Sequence, residues 1–356
     1  MLNHRVSSDF YNFETQYVRQ KDIFRLSKKE YLMPFVYPSF VAIPFSLFTP
    51  YPVSVTYFVL TLINCLLVIM VVYSLLKELK IFSSGLITSL SYLLFLSFIP
   101  LWEALRQGQL SFIIFAGFVL SWFFLKRQKN LIGGLFLSLL FVRPHLVILP
   151  LLIFAWKREW KTVFGLLLGI ALMILISGLA TGLTSLYRYV ELLWSIPSLG
   201  NAYTIHPQLE PTIRGFLQSL YHTDSLKEVA PAFIPIALLT IGALIYAWRG
   251  KVITKGQKFN FQWAILILIT LLTSLHTNPH DLLPSTFAIM ILFTTFVKSL
   301  YRHKNRLGRV VLVFYLFLFF IIIVGAAMYV PLITTPILFL TLIILIILSN
   351  RTLAQN

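Results

Sequence analysis

The chain has 356 residues, 58% of them hydrophobic and only 12% charged, whereas a soluble domain carries about twice that share of charge. Its formal charge is +17, but the bases are dispersed between apolar runs and form no continuous basic face, which excludes a nucleic-acid-binding surface. The single cysteine, Cys65, sits inside an apolar run, which excludes a disulfide framework and a thiolate metal cluster. The apolar runs do not alternate with polar residues as barrel strands do. The chain therefore reads as an all-α polytopic membrane protein.

Residues 1–33 are polar and aromatic, with Asp9, Tyr11, Glu14, Tyr17, Asp22 and Tyr31, and lack the apolar core of a signal peptide. Phe35–Phe48 is interrupted by Pro38 and Pro44; it is too short to span and is expected to re-enter the membrane or lie in its interface. Pro52–Leu76, Ser83–Leu105 and Leu110–Leu125 are predicted spans, with Arg106-Gln107-Gly108-Gln109 between the last two. Leu131–Trp156 follows, apolar except for Arg143, Pro144 and His145 near its middle. It exceeds the about 20 residues of one crossing and falls short of two. Thr162–Thr181 spans, residues 182–230 form a large polar loop, and Pro231–Trp248 spans. Phe261–Leu275 and Leu282–Val297 flank the polar knot His276-Thr277-Asn278-Pro279-His280-Asp281, and Val310–Tyr329 and Ile337–Ser349 complete the bundle. The expected organisation is an outer or interfacial segment over 1–51, a bundle of about ten membrane segments over 52–350, and a cytoplasmic tail over 351–356.

Basic short loops face the cytoplasm. Those loops are Lys77–Lys80, Lys126–Lys129, Lys157–Lys161, Arg249–Lys258 and Lys298–Arg309, with Arg351 in the tail. Parity holds only if 131–156 enters and returns as two half-length helices, which places the Arg143-Pro144-His145 turn deep in the bilayer. A broken helix is tolerated there where protein or a water-filled cavity covers it. Most lysines and arginines then fall inside, and of the carboxylates only Glu78 and Glu159 do. The N-terminal tail, with Arg5, Arg19, Lys21, Arg25, Lys28 and Lys29, is placed outside with no preceding helix to export it. The expectation is a first span missing ahead of Met1.

This orientation gathers the polar features at one face: Asp9, Glu103/Arg106/Gln109, Arg143/His145, the 182–230 loop, and His276/His280/Asp281. Ionisable residues at membrane depth are expensive and mark functional sites. The set suits transfer of a sugar from a lipid phosphate. Arginine and histidine would hold the phosphate, a carboxylate would deprotonate an acceptor hydroxyl, and aromatics would stack on the sugar. Each residue also has a structural alternative. Asp9 is one carboxylate among several in a solvated tail. Arg143 could be a structural cation, and His145 could cap its turn. Asp281 could cap the next helix, and Glu103 with Arg106 could be a local ion pair. His276, His280 and Asp281 have a permissive metal spacing but no third strong ligand in a recognised pattern, so no metal is expected. A transporter or flippase would instead place its site near the midplane. A polymerase or ligase using a lipid diphosphate would show more arginines in the outer loops than Arg188 and Arg214.

The order Asp9…Tyr37-Pro38…Gly108-Gln109…Arg143-Pro144…His276-x3-His280-Asp281-Leu282 resembles the integral-membrane glycosyltransferases of family 87, in the GT-C class, over nearly the whole chain apart from their first helix. The resemblance implies inverting transfer of a hexose, commonly mannose in an α-1,2 link, from a polyprenyl phosphate to a glycan or glycolipid acceptor. It also implies a multi-pass protein of the plasma membrane with its site on the extracytoplasmic face. Asp9 matches the family's proposed base, and either His276 or His280 matches its late-loop histidine. Relatives often carry lysine where this chain has Arg143. The resulting assignment is Asp9 as base, with Arg106, Arg143, His145, His276 and His280 as phosphate-binding residues. Tyr11, Gln109 and Asp281 are assigned to sugar or acceptor. No cofactor is implied, since the lipid-linked sugar is a substrate.

Overall fold

The computed structural model describes residues 10–24, 32–80, 85–195, 206–303 and 330–353. Asp9 and the predicted span Val310–Tyr329 lie outside them. All the regular secondary structure of the described residues is helical, with no strand among them. Five helices are long and apolar enough to cross a membrane, or six if one bent pair counts as a span. This is a multi-pass membrane protein.

In chain order, a polar helix α1 (Phe13–Phe24) and a short α2 (Ala42–Ser46) precede the first long span α3 (Val53–Glu78). The predicted second span is two helices, α4 (Gly85–Leu96) and α5 (Ile99–Arg106), bent by 49°. Proline explains the break. Pro100 has no N–H to give to the Leu96 carbonyl, four residues back, and the Trp102 indole donates to that carbonyl instead, at 2.7 Å. Helix α6 (Ser111–Lys126) is followed by the broken run: α7 (Asn130–Leu137), a 3-10 turn over Ser138–Val142, another over Pro144–Val147, and α8 (Ile148–Trp156). Arg143 is extended between the turns, with φ −127° and ψ 90°, because Pro144 bars the residue before it from the helical region. The run returns to the end it started from, since the Asn130 amide lies 3.4 Å from the Glu159 carboxylate. The half-helix pair expected at 131–156 is therefore present.

Helix α9 (Trp160–Thr181) packs on α7 with the backbones almost touching. A Cβ at Gly134 would stand 2.1 Å from the Thr162 carbonyl oxygen, and one at Gly165 would stand 2.2 Å from that of Leu131. The predicted polar loop is partly helical, with the amphipathic α10 (Leu183–Ser195) and α11 (Ile213–Leu220). Three further long helices follow α11: α12 (Leu226–Ala247), α14 (Ser285–His303) and, at the end, α15 (Pro331–Leu353), with α13 (Gln257–Leu272) between the first two. Helices α6 and α13 have 16 residues each and lie inside the bundle rather than in lipid; α13 is buried continuously from Phe261 to Leu272. Its polar atoms are matched within protein, as a buried helix requires. The Trp263 indole donates to the Phe118 carbonyl at 3.1 Å, and the Gln262 amide donates to that of Ala247 at 2.9 Å. By contrast α3, α9 and α12 turn large apolar side chains outward, among them Phe58, Ile69, Leu179 and Leu239, as lipid-facing helices do.

The basic loops meet at one end of the bundle. Lys126 and Arg127 pair with Glu78 at 3.2 and 2.8 Å, Lys157 donates to the Gly250 carbonyl at 2.9 Å, and the Gln128 amide donates to the Thr254 hydroxyl. Helix α6 runs away from this end, and at its other terminus stand the polar residues singled out from the sequence.

Candidate functional site

Four elements build the polar cluster. The first is the turn into α6. Gly108 adopts φ +60°, which lets the Gln109 N–H return to the Ala104 carbonyl at 2.8 Å; this is the glycine-terminated helix end that a β-carbon disfavours. Ser111 then starts α6 with its hydroxyl donating to Asp281 Oδ1 at 2.8 Å. The second element is the 3-10 turn Pro279–Leu282, which carries His280 and Asp281. Asp281 Oδ2 accepts from the Asn278 N–H at 2.9 Å. The third is the broken run, which presents Arg143 to Asp281 Oδ2 at 2.9 Å with both side chains buried. Asp281 thus closes its own turn instead of capping the next helix, and pairs with a buried cation. The fourth is the segment before α2. Tyr37 lies with its hydroxyl 3.5 Å from the Arg143 guanidinium and donating to Gln109 Oε1 at 2.8 Å.

Tyr11 joins the cluster from the N-terminal side. Its hydroxyl donates to the Tyr37 carbonyl at 3.0 Å, and its ring packs on Tyr189 of α10 at 5.3 Å between centroids. Burial pushes both phenols well above the ordinary tyrosine range, so both are neutral hydroxyls at any physiological pH.

A cavity of about 370 Å³ opens beside this cluster, at the break in the 131–156 run. Arg143, His145 and His276 supply its polar lining, with Tyr37 and Tyr189 as aromatic walls; Val142, Ile148, Leu193 and Leu275 make the rest of the wall apolar. The two late-loop histidines are placed differently. His280 is buried, with Nε2 3.5 Å from Arg143 and 3.6 Å from Asp281 Oδ2. His276 faces the cavity, and its Nδ1 lies 2.6 Å from Glu210 Oε1.

The structure therefore brings together Tyr11, Gln109, Arg143, His145, His276, His280 and Asp281. Arg106 stands apart from the cavity lining. Its side chain is 68% exposed and pairs with Glu103 at 2.7 Å, the local ion pair expected at that spacing. Asp9 lies outside the described residues. Sequence reasoning missed Glu210, Ser111 and Tyr189. Nothing local signals Glu210, because its partner His276 is 66 residues further on.

A buried arginine held by an aspartate beside an apolar-walled cavity suits an anionic headgroup carried on a lipid chain. Neither the curated proteins nor the solved structures give a match to this chain. The family model described as glycosyltransferase family 87 matches residues 35–279. That span covers more than half of the chain and most of the residues that form the cluster, and the chain belongs to this family of membrane glycosyltransferases.

Proposed function

We propose that the protein transfers a hexose, mannose in the first instance, from a polyprenyl-phosphate donor to a glycan or glycolipid acceptor on the extracytoplasmic side of the plasma membrane. The observation that carries this reading is the buried Arg143 guanidinium in the lining of a cavity walled mostly by aliphatic and aromatic side chains. A nucleotide-sugar donor would call for a polar, water-facing cleft. A lipid phosphate needs a cation at membrane depth with room for apolar chain beside it. The basic loops lie at the opposite end of the bundle, which favours an extracytoplasmic placement of the cavity.

In this mechanism the acceptor hydroxyl oxygen attacks the anomeric carbon. The anomeric C–O bond breaks and its electron pair leaves with the phosphate, so a single displacement inverts the centre. Asp9 takes the acceptor proton. Arg143 offers N–H groups to the phosphate while Asp281 fixes its orientation, and His145 with one of His276 and His280 completes the anionic subsite, with Arg106 as a further phosphate-binding cation. Tyr11, Gln109 and Asp281 order the sugar side. Asp281 is a poor base in this arrangement, because Arg143, Ser111 and the Asn278 N–H already engage its oxygens. Tyr11, two residues after Asp9 in the chain, is anchored on the Tyr37 carbonyl, which supports assigning the base to Asp9.

The test is transfer by purified protein from polyprenyl-phosphate-mannose, comparing the wild type with Asp9→Asn. Loss of about a hundredfold or more in kcat is expected for removal of a general base. Near-normal turnover by folded Asp9→Asn would remove Asp9 from the mechanism.

A further inference from the structure

We propose that Glu210 is the positioning residue for His276, and that through it His276, not His280, presents a ring nitrogen to the phosphate of the lipid donor. The inference deepens the reading above and rests on it for the identity of the ligand.

The geometry is specific. Glu210 is 1% exposed, and its Oε1 lies 2.6 Å from His276 Nδ1. A carboxylate only accepts, so Nδ1 carries the proton and the tautomer is fixed. Nε2 has no hydrogen-bond partner among the described residues, and the ring lines the cavity beside Arg143 and His145. Glu210 Oε2 is buried without a hydrogen-bond partner. A buried carboxylate engaged on one oxygen by a histidine alone is costly, which fits a functional pair better than a stabilising one.

The surrounding loop holds this pair rigidly. The Thr212 N–H donates to the Glu210 carbonyl at 2.8 Å. Gly215 packs so closely that a Cβ there would stand 2.0 Å from that same oxygen. Arg214 donates to the Leu275 carbonyl at 2.8 Å, pinning the residue before His276. The 206–220 stretch of the outer loop thus clamps the backbone on both sides of the pair. His280 has no comparable access: it is buried against Arg143 and Asp281.

The step balances within the proposed displacement. As the anomeric C–O bond breaks, its electron pair passes to the phosphate oxygen. When the phosphate binds, His276 takes a second proton, on Nε2, from solvent water. That N–H is hydrogen-bonded to a non-bridging phosphate oxygen, and its proton is given to the phosphate as charge develops, which returns the ring to the Nδ1–H form. Glu210 stabilises the imidazolium that precedes this transfer, by the carboxylate–histidine logic of hydrolytic triads.

The experiment is a double-mutant cycle with Glu210→Gln and His276→Gln, read as kcat and donor KM with polyprenyl-phosphate-mannose. It is joined to 15N NMR of the histidine rings in the purified full chain. Glu210→Gln is expected to lower kcat by about tenfold to a hundredfold, and to cost little more once His276 is already Gln. The NMR should show an Nδ1–H ring in the wild type, with that signal assigned by its loss in His276→Gln, and altered in Glu210→Gln. Additive losses, or an unchanged ring tautomer in Glu210→Gln, would overturn the inference. If Glu210→Gln does not fold, His276→Gln carries the test, and wild-type kcat and donor KM in folded His276→Gln overturn the inference equally. A wild type that transfers from no polyprenyl-phosphate sugar sinks the donor assignment instead, while the NMR arm still decides the Glu210–His276 pairing.

Discussion

Replacing Arg143 by glutamine separates what the cation does for the fold from what it does for the reaction. Arg143 and Asp281 form a 2.9 Å pair with side chains 7% and 1% exposed. Removing one partner of such a pair strands the other charge and costs about 3–5 kcal/mol. Asp281 would keep its bonds from Ser111 and the Asn278 N–H, so the lower end, about 3 kcal/mol, is expected. Arg143→Gln with Asp281→Asn leaves no stranded charge and should recover stability to within about 1 kcal/mol of the wild type. Transfer should be lost in both, because neither holds the phosphate. Unfolding in detergent, followed by the fluorescence of the seven tryptophans, reads the first quantity, and the transfer assay reads the second. An Arg143→Gln variant as stable as the wild type would refute the buried pair. A double variant that regains transfer would refute the phosphate role.

Two further substitutions probe the scaffold and the cluster. Gly134→Ala would drive a methyl group into the Thr162 carbonyl and the Leu166 amide, at 2.1 and 2.9 Å; a loss of about 1–3 kcal/mol or more is expected. Gly242→Ala, in open space on α12, should stay within about 1 kcal/mol of the wild type, so equal effects would argue against the α7–α9 contact. Tyr37→Phe removes the donor to Gln109 Oε1, and should cost about 1 kcal/mol in stability with a severalfold fall in transfer. Unchanged transfer would take Tyr37 and Gln109 out of the site.

How far the sequence discloses this molecule depends on how local each signal is. The half-helix pair at 131–156 is legible because its signals are local: basic residues at both ends, and Arg143-Pro144-His145 in the middle. The bend between α4 and α5 has a local signal too, Pro100. It is hidden because the run around it is apolar enough to read as one span. Against the about ten segments expected, five helices among the described residues reach spanning length, or six with the bent pair. Helices α6 and α13 are too short to be spans by length, and their hydrophobicity serves burial against other helices, where apolar residues on every face look like a lipid-facing run. At the site, the sequence supplies Arg143, His276, His280 and Asp281 as residue types out of place in a membrane. It cannot pair them. Arg143 meets Asp281 only because α6 and the broken run return to the same end, and Glu210 reaches His276 across 66 residues. The structure also separates alternatives that spacing leaves open, placing His276 on the cavity and His280 behind Arg143.

The central claim, that the Arg143 cavity takes a lipid phosphate, is tested most directly by binding. A photoreactive polyprenyl phosphate, added to purified protein and mapped by mass spectrometry, should label the cavity wall around Val142, Ile148 and Leu193. Excess polyprenyl phosphate should compete the label away, and excess nucleotide sugar should leave it unchanged. The folded Arg143→Gln, Asp281→Asn variant should label at least tenfold less, the factor that about 1.4 kcal/mol of lost phosphate binding gives. Equal labelling of wild type and variant at that wall, or labelling confined to the outward faces of α3 and α12, would contradict the account.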